Sequence, residues 1–199
     1  MSAPLRGGAG AAASRRILEA AVRVLVRDGV ADGSLGAIAQ DAGVSKALLH
    51  YHFLDRERLL AAAVVLLGDR VRLRERDALR NDEGDQPVDA LWRWLGGELR
   101  RGELRLLLEL GALRSAPVRA AALDVARERQ AAAGETVGET FTRLGLVPRV
   151  AAELVAAAWV TFVDGVAVGL SPRPDGPTAS SESRVAFDVF WLAALGLAD

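Results

Sequence analysis

The chain reads as all-α, with a small three-helix unit at its N-terminus and a larger helical bundle after it. Three observations predict this. Apolar residues recur at helical spacing along almost the whole length, as in Ile17, Ala21, Val24 and Leu25 at i, i+4, i+7 and i+8. No stretch alternates apolar and polar residues with the period of a strand. The joints carry helix punctuation, Ser or Asp before the apolar runs and Gly or Pro after them. With 199 residues, 51% apolar and 26% charged, the chain is globular and long enough to bury a core.

The elements follow in order. Residues 1–13 are small and read as a flexible arm, long enough for Arg6 to reach a minor groove. Ser14 caps a first helix, and Gly29 suits the position just past its end, where a positive φ is needed. Ser34 caps a short second helix that Gly43 ends. Ser45 caps a third, KALLHYH, and Asp55 caps a long fourth that runs to about Arg80. Leu54 and Leu59 have the spacing of a hydrophobic staple around that cap. NDEGDQP is a polar break at 81–87. Helical patterns continue at 88–101, 103–114, 118–144, 148–169 and 182–197, with Pro117, Pro148 and SPRPDGPTASS at the joints. About nine helices result, divided into a domain at 14–60 and another at 61–199.

Composition removes several function classes. There is no cysteine, hence no disulfide framework, thiolate zinc cluster or thiol nucleophile. The opening MSAPLRGGAGAAAS lacks the apolar run of a signal peptide, so a cytoplasmic location is expected. The net charge of −1 gives no nucleic-acid signal for the whole chain. Residues 1–60 hold eight basic and six acidic groups, a balance that permits nucleic-acid binding there without requiring it.

The segment GVSKALLHYHF, 43–53, contains both histidines, the single lysine and the single tyrosine of the chain. His50 and His52 are two residues apart, about 200° around a helix, so they cannot chelate one metal ion. No G-x-S-x-G or H-E-x-x-H motif occurs, and no catalytic constellation surrounds the histidines. No metal, cofactor or enzymatic role is therefore expected. Helix 34–42, the turn at Gly43 and helix 45–52 instead make a helix-turn-helix, whose second helix enters the DNA major groove. Ser34 and Ser45 stand at helix N-termini, where free N–H groups attract phosphate.

The run RRILEAAVRVLVRDGVADGSLGAIAQDAGVSKALLHYHFLDRERLL resembles the N-terminal domain of the TetR family of bacterial transcriptional regulators. The shared features are I-L-x-A-A in the first helix, the glycine ending it, I-A-x-x-A-G-V-S, and H-F-x-x-x-E-x-L-L; they cover residues 14–60. The resemblance implies double-stranded DNA as partner. It implies that Lys46, Ala47 and Leu48 face bases and that Ser34, Ser45, Tyr51 and Arg56 hold phosphates. His50 stands where the family carries a phosphate-contacting tyrosine, Leu48 where threonine is common and Leu54 where lysine is common. Ile38, Ala39, Ala42, Val44, Leu49 and Phe53 are expected in the core, and His52 against the first or fourth helix.

LVAAAWVTFVDGVAVGL, 154–170, is apolar on every side, and Val185, Phe187, Val189, Phe190, Trp191, Leu192 and Leu195 give the last helix the same character. A membrane span is disfavoured by the length, by Asp164 near the centre and by the lack of flanking anchors. Two copies packing these helices together would cover them, so a homodimer on a palindromic site is expected. The resemblance also implies a small-molecule pocket in the larger domain. Trp92, Leu95, Leu99, Leu108, Phe141, Trp159 and Phe162 are its candidate walls, for an apolar or amphipathic effector, although such stripes are commonly core.

Overall fold

A computed structural model describes residues 6–81, 86–169 and 181–198, with side chains from residue 10 onward. The side chain of Arg6, residues 82–85 and the joint at 170–180 lie outside the described residues. Among the described residues the chain forms α1 (Arg6–Asp32), α2 (Leu35–Asp41), α3 (Lys46–Phe53), α4 (Arg56–Arg80), α5 (Pro87–Arg101), α6 (Glu103–Gly111), α7 (Ala116–Arg143), α8 (Ala152–Gly169) and α9 (Ser181–Leu195). The all-α class is as the periodicity predicts. One boundary differs: α1 begins at Arg6 and runs through Ser14. The run AGAAAS is rich in alanine, the strongest helix former, so helix extends into the expected arm.

The chain folds as two compact units. One comprises Met1–Leu66 with Glu109–Leu123, the other Leu67–Leu108 with Asp124–Asp199. The segment 109–123 is thus part of the first unit, where a division at residue 60 had assigned it to the second. Its Leu110 and Val118 are fully buried.

In the first unit Ile17, Ala20, Ala21 and Val24 of α1 pack with Ile38, Ala39, Leu49, Phe53 and Leu59. Gly29 takes φ 83° and kinks the end of α1, and Gly43 takes φ 64° between α2 and α3. Both are left-handed positions that a Cβ would strain.

The second unit is built on rings. Trp159 lies 1% exposed among Trp94, Phe162, Phe187, Phe190 and Trp191, with centroids 5.4–6.1 Å away. Such pairs add stabilisation beyond their buried area. Polar groups are folded into the same unit. Glu98, fully buried, receives Arg74 at 2.6 and 2.7 Å, and Arg129 meets Asp164 at 2.6 Å. Arg184 of α9 reaches Asp89 of α5 at 3.0 Å and lies 5.3 Å over the ring of Trp92.

Candidate nucleic-acid interface

A serine caps the start of each helix of the motif, Ser34 that of α2 and Ser45 that of α3. Ser34 Oγ accepts the amide of Ala37, and Ser45 Oγ accepts that of Leu48, each at 3.1 Å. A hydroxyl that accepts in this way keeps its own O–H to donate. The amides of the first turn beyond each cap also lack intrahelical partners. Both caps are exposed. Two donor-rich helix ends therefore face solvent, the arrangement that receives phosphate.

Leu49 and Phe53 bury one face of α3. Lys46, Ala47, Leu48, His50 and Tyr51 are all exposed on the rest of it, Tyr51 at 79%. Gly36 in the first turn of α2 lets Lys46 lie close, since a Cβ there would stand 3.2 Å from Lys46 Cε. The cation is thus held over the N-terminal end of α2, beside the Ser34 cap. His52 is half-buried and lies beside α1, where a Cβ on Gly10 would stand 4.0 Å from its Cε1. Its burial on the first helix follows the sequence expectation.

Arg56 is placed differently from its seven companions at this surface. Its guanidinium donates to the backbone oxygens of Gly33 and Val30, at 2.5 Å each. These two bonds fasten the end of α1 and the α1–α2 connection to α4. The salt bridge from Arg23 to Asp41, 2.7 Å, fastens α1 to the end of α2 in the same way.

The turn after α3 departs from the staple expected there. Leu54 is 62% exposed and has φ 55° and ψ −55°. Asp55 N–H donates to Phe53 O across it, which makes a γ-turn, a strained conformation for a residue with a Cβ. The turn is held by hydrogen bonds in place of a leucine pair. Leu54 N–H donates to His50 O at 2.8 Å, and Asp55 Oδ1 accepts from Arg58 N–H at 2.8 Å. His50 Nδ1 lies 3.2 Å from Leu54 O. A carbonyl only accepts, so the ring must donate from Nδ1 to make this bond.

Residues 17–63 match the family described as bacterial regulatory proteins, tetR family. Residues 17–63 thus carry the N-terminal domain of the TetR family. The HTH-type nicotine-responsive transcriptional repressor HdnoR of Paenarthrobacter nicotinovorans is 42% identical over 59 residues, 29% of this chain and 30% of that protein. The match therefore spans under a third of that relative's length. Solved structures extend the likeness along the chain. A transcriptional regulator from Rhodococcus sp. Rha1 aligns with a TM-score of 0.69 at 23% identity, covering 94% of this chain and 97% of its own. The fatty acid degradation regulator FadR of Bacillus halodurans aligns with a TM-score of 0.69 at 14% identity, covering 88% and 96%. At such identities the likeness is one of fold. The chain thus carries a TetR-type DNA-binding domain at residues 17–63 and shares an all-α fold with these structures over nearly its full length.

The seven residues proposed as pocket walls lie within one core. Leu95, Leu99, Phe141 and Trp159 are buried, and Trp92, Leu108 and Phe162 pack against them. The open spaces of the second unit lie elsewhere. One is an apolar groove of about 420 Å³ along α8 and α9, lined by Leu154, Ala158, Val189, Phe190 and Leu197 among others. Another is a polar cavity of about 270 Å³ between α4 and α7. Its arginines, Arg72, Arg76 and Arg80, had a signal in the sequence, an i, i+4, i+8 spacing in VRLRERDALR, which the aromatic stripes overshadowed.

Proposed function

We propose that the chain is a ligand-responsive transcriptional repressor that binds a palindromic operator as a homodimer. One observation carries the reading. The exposed face of α3 joins Lys46, His50 and Tyr51 to two capped helix ends with free donors. Phosphate contacts of this kind fix register, and the residues at the start of the recognition helix meet base edges. Lys46, Ala47 and Leu48 fill that role, and Leu48 can pack on a thymine methyl. Repression is carried over from HdnoR, a transcriptional repressor. An electrophoretic shift series against genomic duplex fragments tests it. Saturable binding to one inverted-repeat fragment that survives moderate salt supports the reading, whereas no binding even at low salt overturns it.

The dimer rests on the groove along α8 and α9. Leu154, Val189 and Leu192 are 65%, 59% and 72% exposed on these two helices. A contiguous apolar face of this kind calls for a partner. The same helix α8 is apolar and long enough by composition to cross a membrane, but the ion pair of its Asp164 with Arg129 suits a folded bundle. A second copy gives two recognition helices related by a two-fold axis, hence a palindromic site. Sedimentation equilibrium should give twice the 21.0 kDa chain mass, and Leu192→Glu should halve it. A monomeric wild-type chain overturns the dimer.

A small-molecule effector in the second unit completes the proposal, in keeping with the responsiveness in the name of HdnoR. Such a ligand releases DNA only by binding the non-operator conformation more tightly. The cytoplasm is the compartment that fits a regulator of this kind. The rival reading is an all-α carrier or enzyme with a vestigial helix-turn-helix. The operator experiment separates the two, because a vestigial motif selects no fragment.

A further inference from the structure

The cavity between α4 and α7 has walls of opposite charge, joined by a long ion pair of Arg72 with Glu128 at 3.7 Å. Arg72, Arg76 and Arg80 form one stripe of α4, and Glu128, Glu135 and Glu139 line the opposite side with Thr136. Arginines four apart sit about 6 Å apart along a helix and repel. Nearby anions relieve that repulsion. Here neutralisation is partial. Arg72 Nη2 is held by Asp69 at 2.5 Å and stands 3.7 Å from Glu128, outside hydrogen-bond reach. Glu139 is drawn to Arg143 on its own helix at 2.7 Å. The Nε atoms of Arg72 and Arg76 are buried with no hydrogen-bond partner. Unsatisfied buried donors are costly, more so when the group is charged.

The space that separates the walls is about 270 Å³, room for a small organic molecule. Behind it lies a layer that is already complete. Thr136 is 5% exposed and Thr140 fully buried, its hydroxyl donating to Thr136 O at 2.8 Å. Glu75 accepts from Trp159 Nε1 at 2.7 Å. The charged groups that line the cavity stand apart from this layer. They are guanidinium donors on one side and carboxylate acceptors on the other. An apolar ligand would leave both unmet and bury them deeper.

We infer that this cavity takes a small amphoteric anion, with its carboxylate or phosphate on Arg76 between Arg72 and Arg80 and its ammonium or hydroxyl donors toward Glu135 and Glu139. The inference rests on the effector reading given above and changes its chemistry from apolar or amphipathic to charged. Arg76 is the residue on which it turns, because a planar guanidinium receives a carboxylate or phosphate through paired N–H groups.

Inorganic phosphate probes the anion subsite directly. The unfolding midpoint of the full chain is followed against sodium phosphate and against sodium chloride at matched ionic strength. Phosphate should raise the midpoint above the chloride curve. Arg76→Gln should weaken that response by about tenfold or more, while Lys46→Ala keeps it. Arg76→Lys should retain part of it, and serves where Arg76→Gln fails to fold. No phosphate-specific rise in the wild-type chain overturns the inference, since a cleft satisfied by water alone behaves so. An equal rise in Arg76→Gln also overturns it, because the anion then sits elsewhere, for instance at the helix ends of the DNA-binding domain. Operator shifts on the same samples keep the two readings apart. A chain that binds operator but shows no Arg76-dependent phosphate response loses this inference and keeps the regulator.

Discussion

The two units place their polar chemistry in opposite ways. In the DNA-binding unit Lys46, His50 and Tyr51 are exposed, and the core beneath is wholly apolar. In the second unit Glu75, Glu98 and Arg129 are buried, with Trp159, Arg74 and Asp164 as partners. A surface that meets a polyanion needs donors left free. A unit that holds charges inside needs every one matched, because an unpaired buried charge costs several kcal/mol. The difference predicts where substitution hurts folding and where it hurts binding alone.

The largest expected effect lies in the ring cluster. Trp159→Ala removes a 1% exposed indole and the hydrogen bond it gives to Glu75. Equilibrium unfolding in urea should show a loss of about 3–5 kcal/mol, and a loss below about 1 kcal/mol would mean the cluster is not the keystone of that unit.

Glu75 comes next. Burial pushes its carboxyl up to about 7, only partly offset by the Trp159 hydrogen bond and the charge of Arg129. The native state therefore holds this proton where the unfolded chain, near 4.5, has lost it. Stability from this group is present below the unfolded value and falls as pH rises through the interval to about 7, by a total on the order of 3 kcal/mol. Glu75→Gln keeps an acceptor for the indole and has no proton to lose. Its unfolding midpoint should fall less than that of the wild-type chain between pH 5 and 8. Parallel curves for the two proteins would remove Glu75 from the account.

The smallest effect tests the junction of α3 and α4. Leu54→Gly relieves the γ-turn strain at φ 55° and loses little burial from a 62% exposed side chain. Strain relief of about 1–3 kcal/mol outweighs the roughly 0.5–1 kcal/mol entropic cost of glycine, so a net gain of about 1 kcal/mol is expected. A loss of stability would show that the leucine side chain contributes more than its exposure indicates.

The same contrast explains what could be read before the structure. The DNA-binding unit was legible because its signals are local. Ser34 caps three residues ahead, Ser45 and Asp55 do likewise, and Gly29 and Gly43 announce their positive φ. The second unit was legible as helices, while Trp159, read as a pocket wall, and Phe187 and Trp191, read as covered by a second copy, lie together in its own core. Its polar interior was not legible. Glu75 meets Trp159 across 84 residues, Arg129 meets Asp164 across 35 and Arg184 meets Asp89 across 95. No spacing rule links such partners. The bonds of Arg56 to the carbonyls of Gly33 and Val30 were hidden for a related reason, since they span 23 and 26 residues.

The central claim, that α3 presents a DNA-reading face, is tested most directly by one titration. Genomic duplex fragments are shifted with the wild-type chain, Lys46→Ala and Tyr51→Ala, and the unfolding midpoint of each protein is measured alongside. The account predicts saturable binding to an inverted-repeat fragment by the wild-type chain and markedly weaker binding by both variants. It also predicts stabilities within about 0.5 kcal/mol of wild type, as for exposed side chains. Undiminished binding in both variants, or weak binding accompanied by unfolding, would contradict it.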